Sequence, residues 1–307
     1  MIEKILKEFV EEARATGLPL EAIAAGDESK VLFEHHFTPD LPRNIYSHTK
    51  SFVSAAAGIA IEEGKLSLED RLADRFPDKL PQTPSCRLLA IRLKDLLTMS
   101  SGFGEAYLMG ADRRAGIGVP DYLSYMLSRE VKEEPGKRFC YSTADSILAG
   151  RMLEAAVGMR LSEYVYRRIL EPMGIGFPVW ENDPQGHPVG GGGMFLKLSD
   201  MMKLGQLFLA GGVWKGRRLV EESWIREATK KQIETDPEPE KADLWRCGYG
   251  YQFWMSPYPD SYRADGAFGQ ITTVLPRAGL VVSIQCPEVG DFERVKKALH
   301  ESVLSRL

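Results

Sequence analysis

Every segment that reads as a β-strand lies towards one end of the chain or the other, and this restricts the fold more than any single motif does. Near the N-terminus, "LEAIAAGDESKVLFEHHF" holds two short runs around Gly26-Asp27-Glu28-Ser29, the pattern of a β-hairpin. Near the C-terminus, "CGYGYQFWM", "YRADGAFG", "ITTVLP" and "LVVSIQC" are short and rich in β-branched or aromatic residues, with a turn at 276–279. The middle reads as helices over 47–63, 92–99, 119–127, 144–157, 161–169 and 199–209, separated by Pro/Gly loops. Strands joined by tight turns favour antiparallel pairing. The expected fold class is therefore α+β, with one antiparallel sheet assembled from both chain ends and an all-α insertion between them. Helical spacing at Ile5, Leu6, Phe9, Val10 and Ala13, and again at Val295, Leu299 and Val303, supplies two terminal helices to cover one face of that sheet. As domains, residues 1–46 join 245–307 in the sheet, residues 47–244 form a mostly helical lobe, and the cleft between them is the place for a site.

Several function classes are disfavoured by composition. A net charge of −4 over 307 residues, with Lys/Arg pairs scattered along the chain, argues against a nucleic-acid partner. No run approaches the roughly 18 apolar residues of a membrane span, which argues against a membrane partner. Four cysteines form no C-x-x-C, and the N-terminal segment carries acids in every turn with no apolar core, so a cytoplasmic protein with reduced thiols is expected. The acidic, Pro-rich loop around Asp236 is expected to be exposed.

Ser47 and Lys50 in "SHTK" form the only Ser-x-x-Lys of the chain. About one copy is expected by chance, so the motif alone carries little weight. Its geometry is nonetheless competent. Positions i and i+3 share a helix face, so Lys50 reaches the Ser47 oxygen if both face a cleft. A serine hydroxyl needs a base, and a lysine serves as one only when burial or a nearby cation lowers its pKa. A helix N-terminus disfavours the ammonium and leaves backbone N–H groups unpaired, which makes the Ser47 N–H a candidate oxyanion donor.

Later blocks follow in a telling order: "DLLTMSSGF" at 95–103, Tyr141-Ser142-Thr143 before a helix, "GGGGMFLKLSD" from Gly190, and Ala264-Asp265-Gly266-Ala267 on a late strand. With Ser-x-x-Lys, this order resembles the serine β-lactamase-like and penicillin-binding-protein-like hydrolases, in their class C-like and esterase branch. The likeness runs from about residue 20 to the C-terminus. It implies that Ser47 is the nucleophile, Lys50 its base and Tyr141 a proton shuttle. The oxyanion donors would be the Ser47 and Ala267 N–H groups, with Thr143, Asp265 and Gly266 against the substrate. Without the resemblance, Tyr141 reads as a packed loop aromatic and Thr143 as the cap of the following helix.

The third block departs from the family pattern, because Ala264 stands where Lys or His is expected. That absence favours an uncharged substrate; Arg263 or Arg277 is the available stand-in for the cation. Asp265 reads equally as a supporting partner, a repeller of anions or the recogniser of an amine. Glu34-His35-His36 is not read as a metal site, since neighbours on a strand point to opposite faces. His48 is expected at the surface and His187 at the cleft. Trp180 and Trp254 are either substrate walls or packing. Together these readings give a serine hydrolase that acts through an acyl-enzyme on a small-molecule ester or amide, with no metal or organic cofactor. A β-lactamase or D-amino-acid peptidase using a displaced arginine, and a non-catalytic ligand-sensing scaffold, remain as alternatives.

Overall fold

The computed structural model describes residues 1–235 and 243–307; the loop around Asp236 lies outside them. A six-stranded antiparallel sheet takes its strands from both chain ends. They are β1 (Ala22–Gly26), β2 (Val31–His36), β3 (Trp254–Met255), β4 (Tyr262–Gly266), β5 (Gln270–Leu275) and β6 (Leu280–Gln285). Their spatial order is β2-β1-β6-β5-β4-β3. The ends meet at the β1–β6 pair, where Ala22 lies opposite Gln285 and Gly26 opposite Val281.

Alternation along the central strands builds two cores. Ile23, Ala25, Ile271, Val282 and Ile284 face one side, where they pack with Leu6, Phe9, Val10, Val295 and Leu299. Those partners belong to α1 (Ile2–Thr16) and to the C-terminal helix Phe292–Ser302. Ala22, Ala24, Val281, Val274 and Ala264 face the other side and join the larger core. That face is covered by α2 (Thr49–Glu62) and by the helix Leu198–Leu209, which lies against β1, β5 and β6. Thus two helices of the central stretch, α2 and Leu198–Leu209, pack on the sheet. Behind α2 come α3 (Leu93–Leu97) and α4 (Thr143–Val157), which pack on each other. Helix Leu198–Leu209 is α5, and the C-terminal helix Phe292–Ser302 is α6.

Two sequence expectations change in detail. The helix expected from Ser47 begins as a 3₁₀ turn at Tyr46–His48 before α2 starts at Thr49. The strand expected over "CGYGYQFWM" is reduced to Trp254–Met255. Gly248 (φ 99°) and Gln252 (φ 63°) leave extended backbone upstream of it. No helix among the described residues is long and apolar enough to cross a membrane.

Candidate active site

Ser47 sits in a turn that is pinned on every side. The Ile45 N–H donates to Met194 O (2.8 Å), and the Tyr46 N–H donates to Asn44 Oδ1 (2.9 Å). Tyr46 is held at φ 48°, a strained value for a non-glycine residue immediately before the serine. His48, expected at the surface, is fully buried: its Nε2 pairs with Thr272 Oγ1 at 2.9 Å, which pairs in turn with Ser283 Oγ at 2.9 Å. Burial drives its imidazole down to about 3, so it stays neutral and acts as a strut to β5.

Lys50 is 1 % exposed in the first turn of α2. Its Nζ lies 3.5 Å from Ser47 Oγ and donates to Gly191 O at 2.6 Å. Burial is the main reason its pKa falls to about 7, and repulsion from the Arg113 guanidinium adds to it. The Asp145 carboxylate works the other way. Asp145 is itself fully buried in α4, where it accepts from Ser101 Oγ (2.8 Å), and burial raises its pKa to about 7. Burial raises the Tyr141 phenol well above 10, and the nearby Ser47 side chain acts the other way. Lys50 Nζ lies 5.3 Å from the centre of the Tyr141 ring. The structure thus gathers Ser47, Lys50 and Tyr141 around one oxygen.

The remaining candidates divide. Ala267 is exposed, one residue beyond the point where β4 meets the serine turn. Gly266 does not open space for a substrate: a Cβ there would collide with the Ile45 carbonyl oxygen and approach the His48 N to 3.2 Å. Its lack of a side chain seats the serine turn against β4. Asp265 is not aimed at a substrate either. It is buried, accepts from Arg263 Nε (3.0 Å) and lies 3.6 Å from Lys296 Nζ. Of the three roles open to it, only that of supporting partner fits. Thr143 does not cap its helix, because α4 starts at Thr143 itself and Ser142 precedes it; Thr143 Oγ1 points to Met109 Sδ at 3.3 Å. Arg277 is exposed and paired with Asp260, and Arg263 is buried on the far face of β4, so neither lies open to the cleft. His187 pairs with Glu154 and Arg160 and does not line the cleft. Trp180 Nε1 donates to Val189 O (2.9 Å) and Gly192 O (3.0 Å), holding the glycine run; Trp254 stacks on Tyr141. His35 contacts Arg14 while His36 contacts Glu34, as strand alternation requires.

The beta-lactamase family model matches residues 2–301. The chain belongs to the β-lactamase family. Among its relatives is a "6-aminohexanoate-dimer hydrolase" of Paenarthrobacter ureafaciens, 24% identical over 277 residues and covering 76% of this chain and 68% of that one. Among solved structures, the octameric penicillin-binding protein homologue from Pyrococcus abyssi superposes with a TM-score of 0.76 at 20% identity, covering 99% of this chain and 77% of that one. A family VIII carboxylesterase superposes with a TM-score of 0.74 at 16% identity over 99% and 97% of the two chains. These structural likenesses establish the β-lactamase-like fold.

Within this family member, three supports were invisible in the order of motifs. Gly191 supplies the carbonyl that orients Lys50. Asp145 and Ser101 stand behind Lys50. Gln252, 2 % exposed, binds three helices at once: its carbonyl accepts from Ser51 of α2, its Nε2 donates to Leu96 and Leu97 O of α3, and its Oε1 accepts from Ser146 of α4. Gly191 yields a prediction. A Cβ there would lie 2.8 Å from Lys50 Nζ and 2.7 Å from Thr143 Cγ2. Gly191→Ala should therefore displace the amine and lower kcat/KM by about 100-fold, the usual effect of an ångström-scale misplacement. At Gly192 the nearest atoms are 3.6 Å away. Gly192→Ala should leave ester turnover within about threefold of the parent, well inside that loss. Steady-state kinetics on the two variants makes the comparison.

Proposed function

We propose that this protein is a serine hydrolase that cleaves small, uncharged esters or amides through an acyl-enzyme on Ser47. One observation carries the reading: Ser47 Oγ lies beside a buried lysine whose pKa is brought to about 7 and whose amine is aimed by the Gly191 carbonyl. With one N–H committed to Gly191, the neutral amine turns its lone pair towards the serine hydroxyl. Ser47 Oγ attacks the substrate carbonyl carbon as its proton passes to Lys50. The Ser47 and Ala267 N–H groups hold the developing oxyanion. On collapse, the leaving alcohol or amine takes a proton from the Tyr141 hydroxyl, which Lys50 replenishes. Water then attacks the acyl carbon through the same relay, and Ser47 departs with a proton. A relative named a 6-aminohexanoate-dimer hydrolase and a structural neighbour titled a family VIII carboxylesterase support a hydrolase reading.

The preference for an uncharged substrate rests on the walls. Tyr46, next to the nucleophile, packs on Phe268 (5.0 Å between centroids), which packs on Phe292 (5.5 Å). This aromatic shelf begins where Ala267 ends, and it suits an apolar acyl or leaving group. Arg113, the cation that acts on Lys50, is held in a two-pronged pair with Glu181 (3.0 Å on each prong) and also donates to Leu108 O. Its Nε/Nη2 edge is thereby closed to a substrate carboxylate. The test is a panel of p-nitrophenyl esters of equal acyl length, one neutral and one ending in a carboxylate, with a chromogenic cephalosporin as third member. The neutral ester should have the higher kcat/KM by about tenfold or more. Preference for the anionic ester or the cephalosporin would overturn the assignment and favour a β-lactamase.

A further inference from the structure

The cation expected at Ala264 is present one residue earlier, on the opposite face of β4, and it contacts the site through a stack of rings. Arg263 Cζ lies 5.7 Å from the Trp254 ring centre. The Trp254 indole stacks on the Tyr141 phenol, with centroids 5.5 Å apart and planes at 27°. Lys50 Nζ also lies over the Tyr141 ring, 5.3 Å from its centre. Guanidinium, indole, phenol and amine thus succeed one another from the far side of the strand to the nucleophile.

The outer end of this column is built rigidly. Each arm of Arg263 has a partner: Nε donates to Asp265, Nη1 to Met255 O (2.7 Å) and Nη2 to Leu244 O (3.1 Å). Trp245 meets Trp254 edge to face at 4.6 Å and has two cations near its ring, Arg263 Cζ at 4.9 Å and Lys296 Nζ at 4.6 Å. The side chains of Arg263, Asp265 and Lys296 are 5, 4 and 6 % exposed. Lys296 also donates to the exposed Glu293 (3.3 Å), so two buried cations share one buried carboxylate and one at the surface. Such burial is costly unless geometry repays it, and here the return is two indoles fixed by cation–π contact. Phe139 and Tyr249 complete the box around Tyr141, but neither carries charge to it.

We infer that Arg263 is a positioning residue for Tyr141, acting through Trp254, with Asp265 and Lys296 holding the guanidinium in place. The inference rests on the reading of Tyr141 as the proton relay to the leaving group. A misplaced relay hurts most when the leaving group is basic and needs the proton, and least when it departs as a stable anion. The experiment compares kcat/KM, which reads the acylation half alone, for a p-nitrophenyl ester and an alkyl ester of the same acid in the parent, Tyr141→Phe, Arg263→Met and Arg263→Lys. Arg263→Met should reproduce the signature of Tyr141→Phe. The alkyl ester should lose about tenfold more than the p-nitrophenyl ester, with KM little changed and the acid limb of the pH profile still near 7, since Lys50 is untouched. Arg263→Lys keeps the charge and should recover most of the alkyl-ester rate. An equal loss on both esters by Arg263→Met, beside a selective loss by Tyr141→Phe, overturns the positioning role and leaves the relay standing. An unselective Tyr141→Phe overturns both. Trp254→Phe, which shortens the column without unpairing a buried charge, should show the same selectivity and carries the test if Arg263→Met does not fold.

Discussion

Replacing Ser47 by alanine should abolish covalent labelling by a fluorophosphonate and lower ester turnover by about four orders of magnitude, because the acyl-enzyme route is then closed. The change deletes one oxygen from a half-buried position. It leaves the struts of the turn in place, from Ile45 to Met194, Tyr46 to Asn44 and His48 to Thr272. Stability should stay within about 1 kcal/mol of the parent, as for substitutions outside a tight core. Intact-mass spectrometry reads the result directly: the parent gains one adduct per chain and the variant none. An adduct of equal yield on the variant would show that the reactive group is elsewhere. Absence of an adduct on the parent, with every reagent of the panel, would instead favour a ligand-sensing scaffold that keeps the geometry without the chemistry. The aromatic shelf of Tyr46, Phe268 and Phe292 makes the apolar reagents the most informative.

Much of this arrangement can be read from the sequence because its causes are local. The β1–β2 hairpin is announced by Asp27, whose Oδ1 accepts from the Ser29 N–H and the Lys30 N–H, the bonds that make such a turn. The terminal helices follow from their apolar stripes, and the Ser47–Lys50 spacing from the rise of a helix. What escaped depends on partners far along the chain. His48 reads as a surface residue until Thr272, 224 positions later, is placed beside it. Gln252 breaks a strand-like run because its side chain is committed to α3 and α4, and its backbone carbonyl to α2. The charge cluster behind β4 was partly legible. Arg263 and Asp265 are two apart on a strand and so share a face. Lys296 lies beside Val295 and three residues before Leu299, near the buried stripe of α6. Ala264 lies between Arg263 and Asp265 and faces the larger core, so the cation missing from one face of β4 stands on the other.

Replacing Lys50 by methionine should lower kcat/KM by about 1,000-fold while leaving the protein as stable as the parent or more so. General-base removal has typical effects of 10²–10⁴. Stability follows from desolvation: a 1 % exposed amine is exchanged for an apolar chain of similar length, at the loss of the bond to Gly191 O and the longer one to Ser47 Oγ. A fall in activity without a fall in Tm separates a chemical role from a structural one. The parent pH profile tests the same residue without mutation. The Lys50 pKa lies near 7 in the folded protein against an ordinary 10.5. The reactive form is the neutral amine, so kcat/KM should rise about tenfold per pH unit below 7 and level off above it. The sign for folding agrees: between pH 7 and 10.5 the unfolded chain holds a proton on Lys50 that the folded chain does not, so this group's contribution to stability increases with pH across that window. Asp145→Asn removes the carboxylate that favours the ammonium. The activity limb should then move to lower pH, whereas an unmoved limb in that variant would mean that Lys50 is not the group being titrated.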